Sequence, residues 1–532
     1  MPRMTGQCKR CTGAVRWAVL LALSACPSPP PEPPARASLP LIVGMEYAFP
    51  GLAGELTGTR MPGVKFFPSL FNWGEMQATA ESAIDFRLLD RLVKEYQDAG
   101  FSDCMVALHS KCPWGSVQGN PLAPDPNYAP KPEYQDEYAA WVQAVVERYD
   151  HDGVQDMDGL SRAIRYYEMG TEFSTYEPEP VAEYLGMLAM AYAAAHAAFA
   201  DAIVMNAAFL TTTAFVHDPG PEEYEEAFAQ VSARIMYHSL EDIRAVLDRP
   251  DLFDAVNFHA LASPLEIEAT AAWLRYEMGL RGYDKPLVIS DTSPNPLIGW
   301  GAATVCNTLP QWMGLVLPPA TEADRCRLAD FFTLLIDKDQ PTLDWTYGQV
   351  ARDMAKMIVI AAEQDIAFLN TSFMEDFVQM QAPAFQAAAG LSAWGGMATT
   401  TFNVVTQEHT IQELRPLYYA IKQTVDRLDK SVLVERVETD DADVRLYRVW
   451  QTGSVIAPAL WTAWYEPGAL FLPGDEEPEV TLSLDVPAAS VVVEELVSAA
   501  NQPPLSYTVP ASGGTVEVML RSTPVFILPA GA

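Results

Sequence analysis

Between residues 41 and 428, apolar runs of strand length alternate with helical runs, and the alternation repeats eight times. This rhythm is typical of a parallel sheet whose strands are joined by crossover helices. The predicted strands are 41–49, 64–73, 102–110, 164–173, 202–210, 254–261, 286–292 and 366–373. The predicted helices include 84–99, 134–149, 180–199 and 265–280, with 411–428 closing the set.

Eight βα units predict a (β/α)8 TIM barrel over residues 41–429 rather than an open doubly wound sheet. No GxGxxG or P-loop glycine pattern opens any helix, which argues against a nucleotide cofactor. After Lys430 the pattern changes to short alternating β runs separated by Pro, Gly and Asp. We therefore predict a second domain, an antiparallel β-sandwich, over residues 430–532.

The chain is strongly acidic, with 34 Lys and Arg against 69 Asp and Glu and a net charge of -35. Such a surface repels phosphate backbones and anionic lipid headgroups, so nucleic acid is excluded as a partner. We interpret the acidity as an aid to solubility. The seven histidines include no HExxH arrangement, and no cofactor is predicted. The sequence leaves the oligomeric state open.

The first 26 residues have the composition of an export signal, with basic residues before a short apolar run at 17–25. That run is too short to span a bilayer. The LSAC segment ending at Cys26 resembles the lipobox of bacterial lipoproteins, which implies lipidation of Cys26. The proline-rich stretch 27–40 is then an extended tether. We expect an exported protein held at the bacterial membrane or cell surface only by lipid; the alternative is a plain secretory signal.

Four cysteines remain once the signal is removed and Cys26 is assigned to lipid. Cys306 and Cys326 bracket one long loop within an insertion at 295–345, which we expect to wall or cover the barrel mouth. They are the favoured disulfide pair. Cys104 and Cys112 lie near the two ends of one predicted strand, about 26 Å apart if it is extended, so we do not expect them to pair.

Two predicted strands each end in a carboxylate. The segment RYYEMGTEFS (165–174) ends its apolar run at Glu172, and PLVISDTSP (286–294) ends at Asp291. Glu168 shares the parity of Glu172, so both are expected to point into the barrel, with Glu172 at the rim. Acids on two strands of one barrel mouth are typical of glycoside hydrolysis.

These segments resemble the clan of retaining glycoside hydrolases built on a (β/α)8 barrel. In that clan an Asn-Glu pair ends strand four, a Glu ends strand seven, and a C-terminal β-sandwich is often appended. The resemblance implies that Glu172 is the general acid/base and that Asp291 occupies the nucleophile position. It also implies a carbohydrate substrate.

Three positions depart from the clan's pattern. Asp291 is one methylene shorter than Glu, and Thr171 replaces the Asn that contacts the sugar. The run DAVNFHAL matches the clan's His-x-Tyr at His259, but Leu261 replaces the Tyr. Three outcomes stay open for Asp291: a nucleophile on a shifted backbone, the base of an inverting mechanism, or the remnant of a lost site. A noncatalytic carbohydrate-binding protein is the competing function, and a structural cell-surface protein is a third.

Other polar and aromatic residues at or beyond predicted strand ends are candidates for holding a sugar. They are Glu46, Lys65, Trp73, His109, Trp114, Asn206, Asn370 and Trp394.

The loop DHDGVQDMDG places Asp150, Asp152 and Asp156 at the first, third and seventh steps of a run resembling a calcium loop. Val154 and Ser161 occupy the fifth and twelfth steps, where such a loop needs oxygen ligands. We interpret the segment as a solvated acidic turn, with Ca²⁺ as the alternative.

Overall fold

A computed structural model describes most of the chain. The described residues are 40–66, 70–117, 128–212, 214–216, 218–232, 237–294, 322–371, 374–376, 394–454, 457–468 and 471–530. Cys26 and Cys306 lie outside this part, so the lipid anchor stays a prediction. Among the described residues, no helix combines the length and apolar character needed to cross a bilayer.

Eight parallel strands close into a barrel in the order β1 to β8, which confirms the predicted (β/α)8 fold. The strands are β1 Ile42–Ala48, β2 Gly63–Phe66, β3 Asp103–Leu108, β4 Tyr166–Glu172, β5 Ile203–Leu210, β6 Val256–Ala260, β7 Leu287–Thr292 and β8 Ile366–Thr371. Their C-terminal ends share one rim, so residues distant in sequence are brought together there.

Helices surround this sheet. The described α-helices are Ala53–Leu56, Trp73–Met76, Arg87–Ala99, Gln135–Arg148, Val181–Ala198, Tyr224–Ser232, Leu240–Leu247, Leu265–Leu280, Glu322–Ile336, Gln340–Glu363 and Pro416–Leu428. Short 3-10 turns occupy Thr57–Thr59, Pro132–Tyr134 and Pro250–Leu252.

Two predicted elements were wrong in part. The second strand ends at Phe66, and Trp73 instead begins a short helix whose N-cap, Asn72, accepts a hydrogen bond from the Glu75 backbone N–H. The predicted helix 411–428 begins only at Pro416, whose fixed φ suits a first helical turn. The preceding residues form strand β10, Glu408–Leu414, which pairs antiparallel with β9, Ala398–Asn403.

The bottom of the barrel is filled by an apolar layer from four strands and the residue just before β6, comprising Met105, Met205, Ala255, Val288 and Phe368. Gly44 lies against Phe368 of this layer. A Cβ added at Gly44 would stand 2.7 Å from Phe368 and 2.4 Å from Asn370 Oδ1, so no side chain fits at this position. Polar side chains occupy the interior above it. Water is thereby excluded from the lower barrel, and the polar groups stand on a packed floor.

The C-terminal sheets begin at Ser431, three residues after the last helix ends. One sheet has six strands in the order β11-β12-β13-β18-β15-β16, and β14 and β17 form a second. The strands are β11 Ser431–Val437, β12 Val444–Gln451, β13 Leu460–Tyr465, β14 Val480–Asp485, β15 Ser490–Glu495, β16 Ser506–Pro510, β17 Thr515–Leu520 and β18 Val525–Pro529. The antiparallel pairing confirms the predicted class of the C-terminal region.

One helix joins the barrel to these sheets. In Gln340–Glu363 every residue from Thr346 to Ala362 is buried. Its Lys356 contacts Asp353 at 3.1 Å on the same helix and Glu466 at 2.7 Å beyond β13. The buried cluster of the barrel also includes Tyr447, Trp464 and Phe526 from the large sheet. The two regions therefore share one core.

The cysteines follow the expectation where they are described. Cys104 and Cys112 are buried thiols and form no disulfide. Cys326 is disulfide-bonded. Its predicted partner, Cys306, and most of the insertion 295–345 lie outside the described residues.

Candidate functional site

Glu172 ends β4, and a backbone irregularity sets its direction. The register against β5 shifts by one residue between Met169 and Glu172, and Gly170 within this interval has φ +100°. An added Cβ at Gly170 would stand 2.3 Å from Glu177 Oε1, so this position requires glycine. Simple alternation predicted that Glu168 and Glu172 both point inward, and the structure reaches this arrangement through a register shift between them.

Asp291 lies near the end of β7 at a second irregularity. Phe258 pairs with Ile289 and His259 with Asp291, so β7 contains one extra residue, Ser290. The bulge turns both Ser290 and Asp291 toward the interior, which an unbroken strand cannot do. Glu172 and Asp291 are 8% and 6% exposed, respectively, and both influence the charge of His259.

His259 connects the two strands that carry the acids. Its Nδ1 lies 2.7 Å from Glu172 Oε1 and its Nε2 lies 2.9 Å from Ser290 Oγ. Ser290 donates its only hydroxyl proton to Glu168 Oε1 at 3.0 Å, so His259 Nε2 must be the donor to Ser290. One further proton lies between His259 Nδ1 and Glu172.

The charge of the pair follows from its surroundings. Burial opposes the charge on His259, but hydrogen bonds to Glu168 and Glu172 raise its pKa to about 10. Burial likewise would raise the pKa of Glu172, but the hydrogen bond and charge of His259 outweigh it and lower that pKa. The resting pair is therefore an imidazolium and a carboxylate.

Lys65 is fully buried below the two acids. Its Nζ contacts Glu168 Oε2 at 2.7 Å and Glu46 Oε1 at 3.0 Å. Burial would raise the pKa of Glu168, but Lys65 and His259 lower it to about 2, so Glu168 is ionised. The pKa of Glu46 shifts in the opposite direction from that of Glu168. Burial and the charge of Asp291 raise it well above the ordinary value, and Lys65 offsets only part of this rise.

Solved structures match this architecture, whereas no protein-family model and no curated protein matches the sequence. A family 39 glycoside hydrolase from the gut symbiont Bacteroides cellulosilyticus WH2 superposes with a TM-score of 0.56 and 11% identity, over 92% of this chain and 81% of that chain. A family 51 α-L-arabinofuranosidase from Bifidobacterium longum superposes with a TM-score of 0.50 and 11% identity, over 92% of this chain and 96% of that chain. The fold is that of clan-A glycoside hydrolases.

Five of the residues predicted from the clan-A resemblance and the strand ends lie together in the barrel. They are Glu46, Lys65, Glu172, His259 and Asp291. His109 belongs to the same region, where burial lowers its pKa to about 4, so the ring is neutral. Thr171 is half-buried, and its backbone N–H donates to Glu177 Oε1 at 3.2 Å. Leu261 directly follows β6 and is half-buried.

Two of the three tryptophans predicted to hold a sugar, Trp73 and Trp114, do not extend from strand ends. Trp73 is fully buried, and its Nε1 donates to Gln77 Oε1 at 3.0 Å. Trp114 packs against it with ring centroids 4.8 Å apart and donates to the Gln77 backbone oxygen at 2.8 Å. Their indole nitrogens are therefore satisfied within the protein, and Trp73 is a core residue.

The predicted asparagines are also internal. Asn206 donates to the backbone oxygens of Ala207 and Asn257 and accepts from the Asn257 N–H, so its amide is saturated by strand backbone. This corrects the prediction that it faces a ligand. Asn370 is fully buried one layer below Glu46, with its Nδ2 3.3 Å from Met105 Sδ. Trp394 is buried as well.

Sequence reasoning missed several groups around the acids. Ser290 and Asn257 both donate to Glu168 Oε1, at 3.0 and 2.9 Å. Tyr47 and Tyr176 lie close enough to Glu172 and Asp291 for these charges, together with burial, to raise their pKa values. Each missed residue is within four positions of a predicted one, which is the only signal the sequence offered.

The acidic loop arranges its carboxylates differently from the calcium-like prediction. Asp156 accepts hydrogen bonds from the backbone N–H groups of His151 and Gly153. Oxygens that approach one another closely enough for a cation belong instead to Glu147, Asp150 and Asp152. The solvated acidic turn stays the prediction, with Ca²⁺ as its alternative.

The titration of His259 predicts a pH-dependent stability. Because its folded pKa of about 10 exceeds its ordinary value of 6.5, its stabilising contribution is complete below pH 6.5 and is lost as the pH rises toward 10. The difference in thermal midpoint between the unmodified protein and His259→Gln should therefore narrow from pH 6.5 to 10. His109→Gln is the control, since His109 titrates below 6.5 and its difference should stay constant. A His259→Gln difference that is flat with pH would contradict a charged His259.

Proposed function

We propose that this protein hydrolyses O-glycosidic bonds, with Glu172 as general acid/base and Asp291 as nucleophile. The observation that carries the proposal is the pair of inward-turned carboxyl groups at the C-terminal ends of β4 and β7, on either side of His259. The clan-A fold supports it, because this rim is where barrel enzymes hold their reacting groups.

Glu172 needs a proton to act as the acid. In the resting site that proton is on His259, 2.7 Å away along a hydrogen bond. We propose that it moves from Nδ1 to Glu172 and then to the glycosidic oxygen as the bond to the leaving group breaks. In the second half of the reaction Glu172 removes a proton from water and the pair is restored.

Asp291 must reach the anomeric carbon with a side chain one methylene shorter than Glu. Retaining enzymes hold their two carboxyl groups about 5 to 5.5 Å apart. To keep that separation with a side chain one methylene shorter, the backbone at Asp291 must lie closer to Glu172. The extra residue in β7 supplies such a displacement next to Asp291. This supports the first of the three outcomes left open by the sequence.

A noncatalytic carbohydrate-binding function is the second candidate. It is favoured by the resting charge of Glu172, which is ionised and held by His259, and by the burial of Asp291. Both acids would then hold sugar hydroxyls without reacting. Under this candidate function the protein binds the sugar at the same site but does not hydrolyse it.

Lengthening the nucleophile separates the two candidates. Asp291 is buried and already positioned by the bulge, so Asp291→Glu overpacks the site and should lower kcat/KM by about tenfold. The assay uses a panel of aryl glycosides that includes α-L-arabinofuranosides, the substrate class in the name of the family 51 neighbour. Anomeric NMR of the first product should show retained configuration.

The opposite result is equally informative. If the unmodified chain binds sugars but releases no aglycone, and Asp291→Glu gains hydrolysis, the noncatalytic candidate is correct. Inverted product would reassign Asp291 as the base that activates water.

A further inference from the structure

The hydroxyl group of Ser290 connects two charged side chains of the candidate site. Its Oγ lies 2.9 Å from His259 Nε2 and 3.0 Å from Glu168 Oε1. The direct separation between His259 Nε2 and Glu168 Oε1 is 3.8 Å, which is too long for a hydrogen bond. Ser290, His259 and Glu168 are all buried, at 0%, 1% and 0% exposure. The hydroxyl therefore supplies the hydrogen bonds between the ring and the carboxylate.

We propose that Ser290 is a positioning residue of the acid/base pair, which holds one proton on His259 Nε2 and thereby makes the proton on Nδ1 the one that His259 exchanges with Glu172. Its effect on hydrolysis rests on the function proposed above. The order of the hydrogen bonds does not depend on that function, and it can be tested without a substrate.

Glu168 sets the direction of these hydrogen bonds. Lys65 Nζ lies 2.7 Å from its Oε2, and Asn257 Nδ2 donates to its Oε1 at 2.9 Å, so Glu168 is an acceptor held at both oxygens. Ser290 must then donate to Glu168, and its oxygen must accept from His259 Nε2. The partner of one ring nitrogen decides which tautomer forms. The proton on Nε2 is therefore kept whether the ring is charged or neutral.

This order fits the proton transfer proposed for the acid/base. His259 Nδ1 gives its proton to Glu172 Oε1, 2.7 Å away, and the neutral ring keeps its other proton on Nε2. After Glu172 has taken a proton from water, Nδ1 has the lone pair that accepts it, and the imidazolium is restored. Without the hydroxyl of Ser290, the neutral ring can keep its proton on either nitrogen, and the return of the proton is no longer directed.

The backbone of Ser290 is held together with its side chain. Its N–H donates to Asn257 Oδ1 at 3.2 Å, and its carbonyl oxygen accepts from Lys65 Nζ at 3.3 Å. Ser290 is the extra residue of β7 and directly precedes Asp291. The bulge that turns Asp291 into the barrel therefore also brings the hydroxyl to His259, so one irregularity positions both reacting sides of the site.

Other charged groups surround the ring of His259. They are Glu46 on β1, Lys65 on β2, Glu168 and Glu172 on β4, Asp291 on β7 and Glu266 on the helix Leu265–Leu280, while His109 beyond β3 is neutral. Removing the Ser290 hydroxyl removes none of these groups. Lys65 and Asn257 keep Glu168 in place, so Glu168 cannot close the 3.8 Å gap to the ring. The imidazolium then lacks an acceptor at Nε2, and the pKa of His259 should fall from about 10.

Ser290→Ala tests the proposal through the titration of His259. In protein labelled with ¹⁵N at histidine, the ring signals of His259 are assigned by their absence from His259→Gln. We expect its pKa to fall by about one unit or more in Ser290→Ala, so that the ring loses its proton at least about tenfold more readily. Ser290→Thr keeps a hydroxyl group and should keep the pKa within about half a unit. An unchanged pKa in Ser290→Ala, or an equal fall in Ser290→Thr, overturns the proposal.

Two further variants separate this effect from a loss of packing. Ser290→Cys fills a similar volume, but its thiol is a weak donor and acceptor, so it should lower the pKa of His259 as alanine does. Thr270→Val removes another buried hydroxyl, which lies 2.7 Å from Thr211 Oγ1, and should lower the thermal midpoint without changing that pKa. If neither alanine nor cysteine allows folding while Thr270→Val folds, Ser290 serves the fold itself and the positioning role is excluded.

Activity supplies a separate readout. The alkaline limb of the kcat/KM profile should follow the loss of the proton from the pair of His259 and Glu172. It should move down by about one pH unit or more in Ser290→Ala and stay in place in Ser290→Thr. A lower kcat/KM with an unchanged alkaline limb would mean a structural role only. If the unmodified chain hydrolyses nothing, the proposed function fails, while the titration of His259 still decides the role of Ser290.

Discussion

Replacing Lys65 by methionine is expected to destabilise the protein by about 3 to 5 kcal/mol at pH 8. Lys65 is fully buried and is the ammonium partner of both Glu46 and Glu168. Methionine fills a similar volume, so the loss comes from the charge rather than from a cavity. Glu168 would then stay buried as an anion without its ammonium partner, or take up a proton at a cost that grows with pH.

Chemical unfolding at pH 5 and pH 8 measures this effect, and the deficit should be smaller at pH 5, where Glu168 protonates more easily. Lys94→Met is the control. Lys94 is 52% exposed and pairs with Asp98 on its own helix, so its loss should cost no more than about 0.5 kcal/mol. Equal effects of the two substitutions would mean that the buried charges contribute nothing specific.

Glu172→Gln is expected to lower kcat/KM by about 10²- to 10⁴-fold, because the glutamine amide cannot transfer a proton to the glycosidic oxygen. The amide oxygen can still accept from His259 Nδ1, so the fold should persist. The loss should be smaller for a dinitrophenyl glycoside than for an alkyl glycoside, since dinitrophenolate departs without protonation. Parallel kcat/KM measurements on both substrates check this.

A stability control is needed for the same experiment. Glu277 is a buried glutamate of the helix Leu265–Leu280 and is paired with Arg244 and Arg281. Glu277→Gln should weaken the fold and leave kcat/KM unchanged, which separates unfolding from lost chemistry. An active Glu172→Gln enzyme with an unaltered leaving-group dependence would remove Glu172 from the acid/base role.

The strand and helix rhythm predicted the barrel because its signal, alternating apolar runs, is repeated eight times and tolerates errors at single boundaries. The sequence predicts the directions of side chains at the rim less reliably than it predicts the barrel. Parity predicted that Glu168 and Glu172 both point inward, but a register shift lies between them, and Asp291 points inward only because β7 contains the extra residue Ser290. A bulge adds one residue without a characteristic composition, so the sequence does not show where the alternation of inward and outward side chains is interrupted.

Among the residues predicted at strand ends, charged side chains indicated the interior of the barrel site better than neutral polar or aromatic side chains did. Glu46 and Lys65, which were predicted to hold a sugar, lie buried in the barrel and pair there, because buried charges need partners that the interior offers. Asn206 was misplaced because an amide can be satisfied equally well by backbone, and the sequence does not distinguish the two partners. Trp73 was misplaced because its strand ended earlier than the apolar run suggested.

The helix Gln340–Glu363 has a consequence for how such a protein can change over evolution. Because it is covered on all sides, the C-terminal sheets form part of the barrel's outer wall rather than a detachable module. A recombination event that exchanged these sheets would have to supply the same apolar surface and a partner for Lys356. New specificities are therefore expected to arise by variation in the loops of the rim, while the two regions are inherited together.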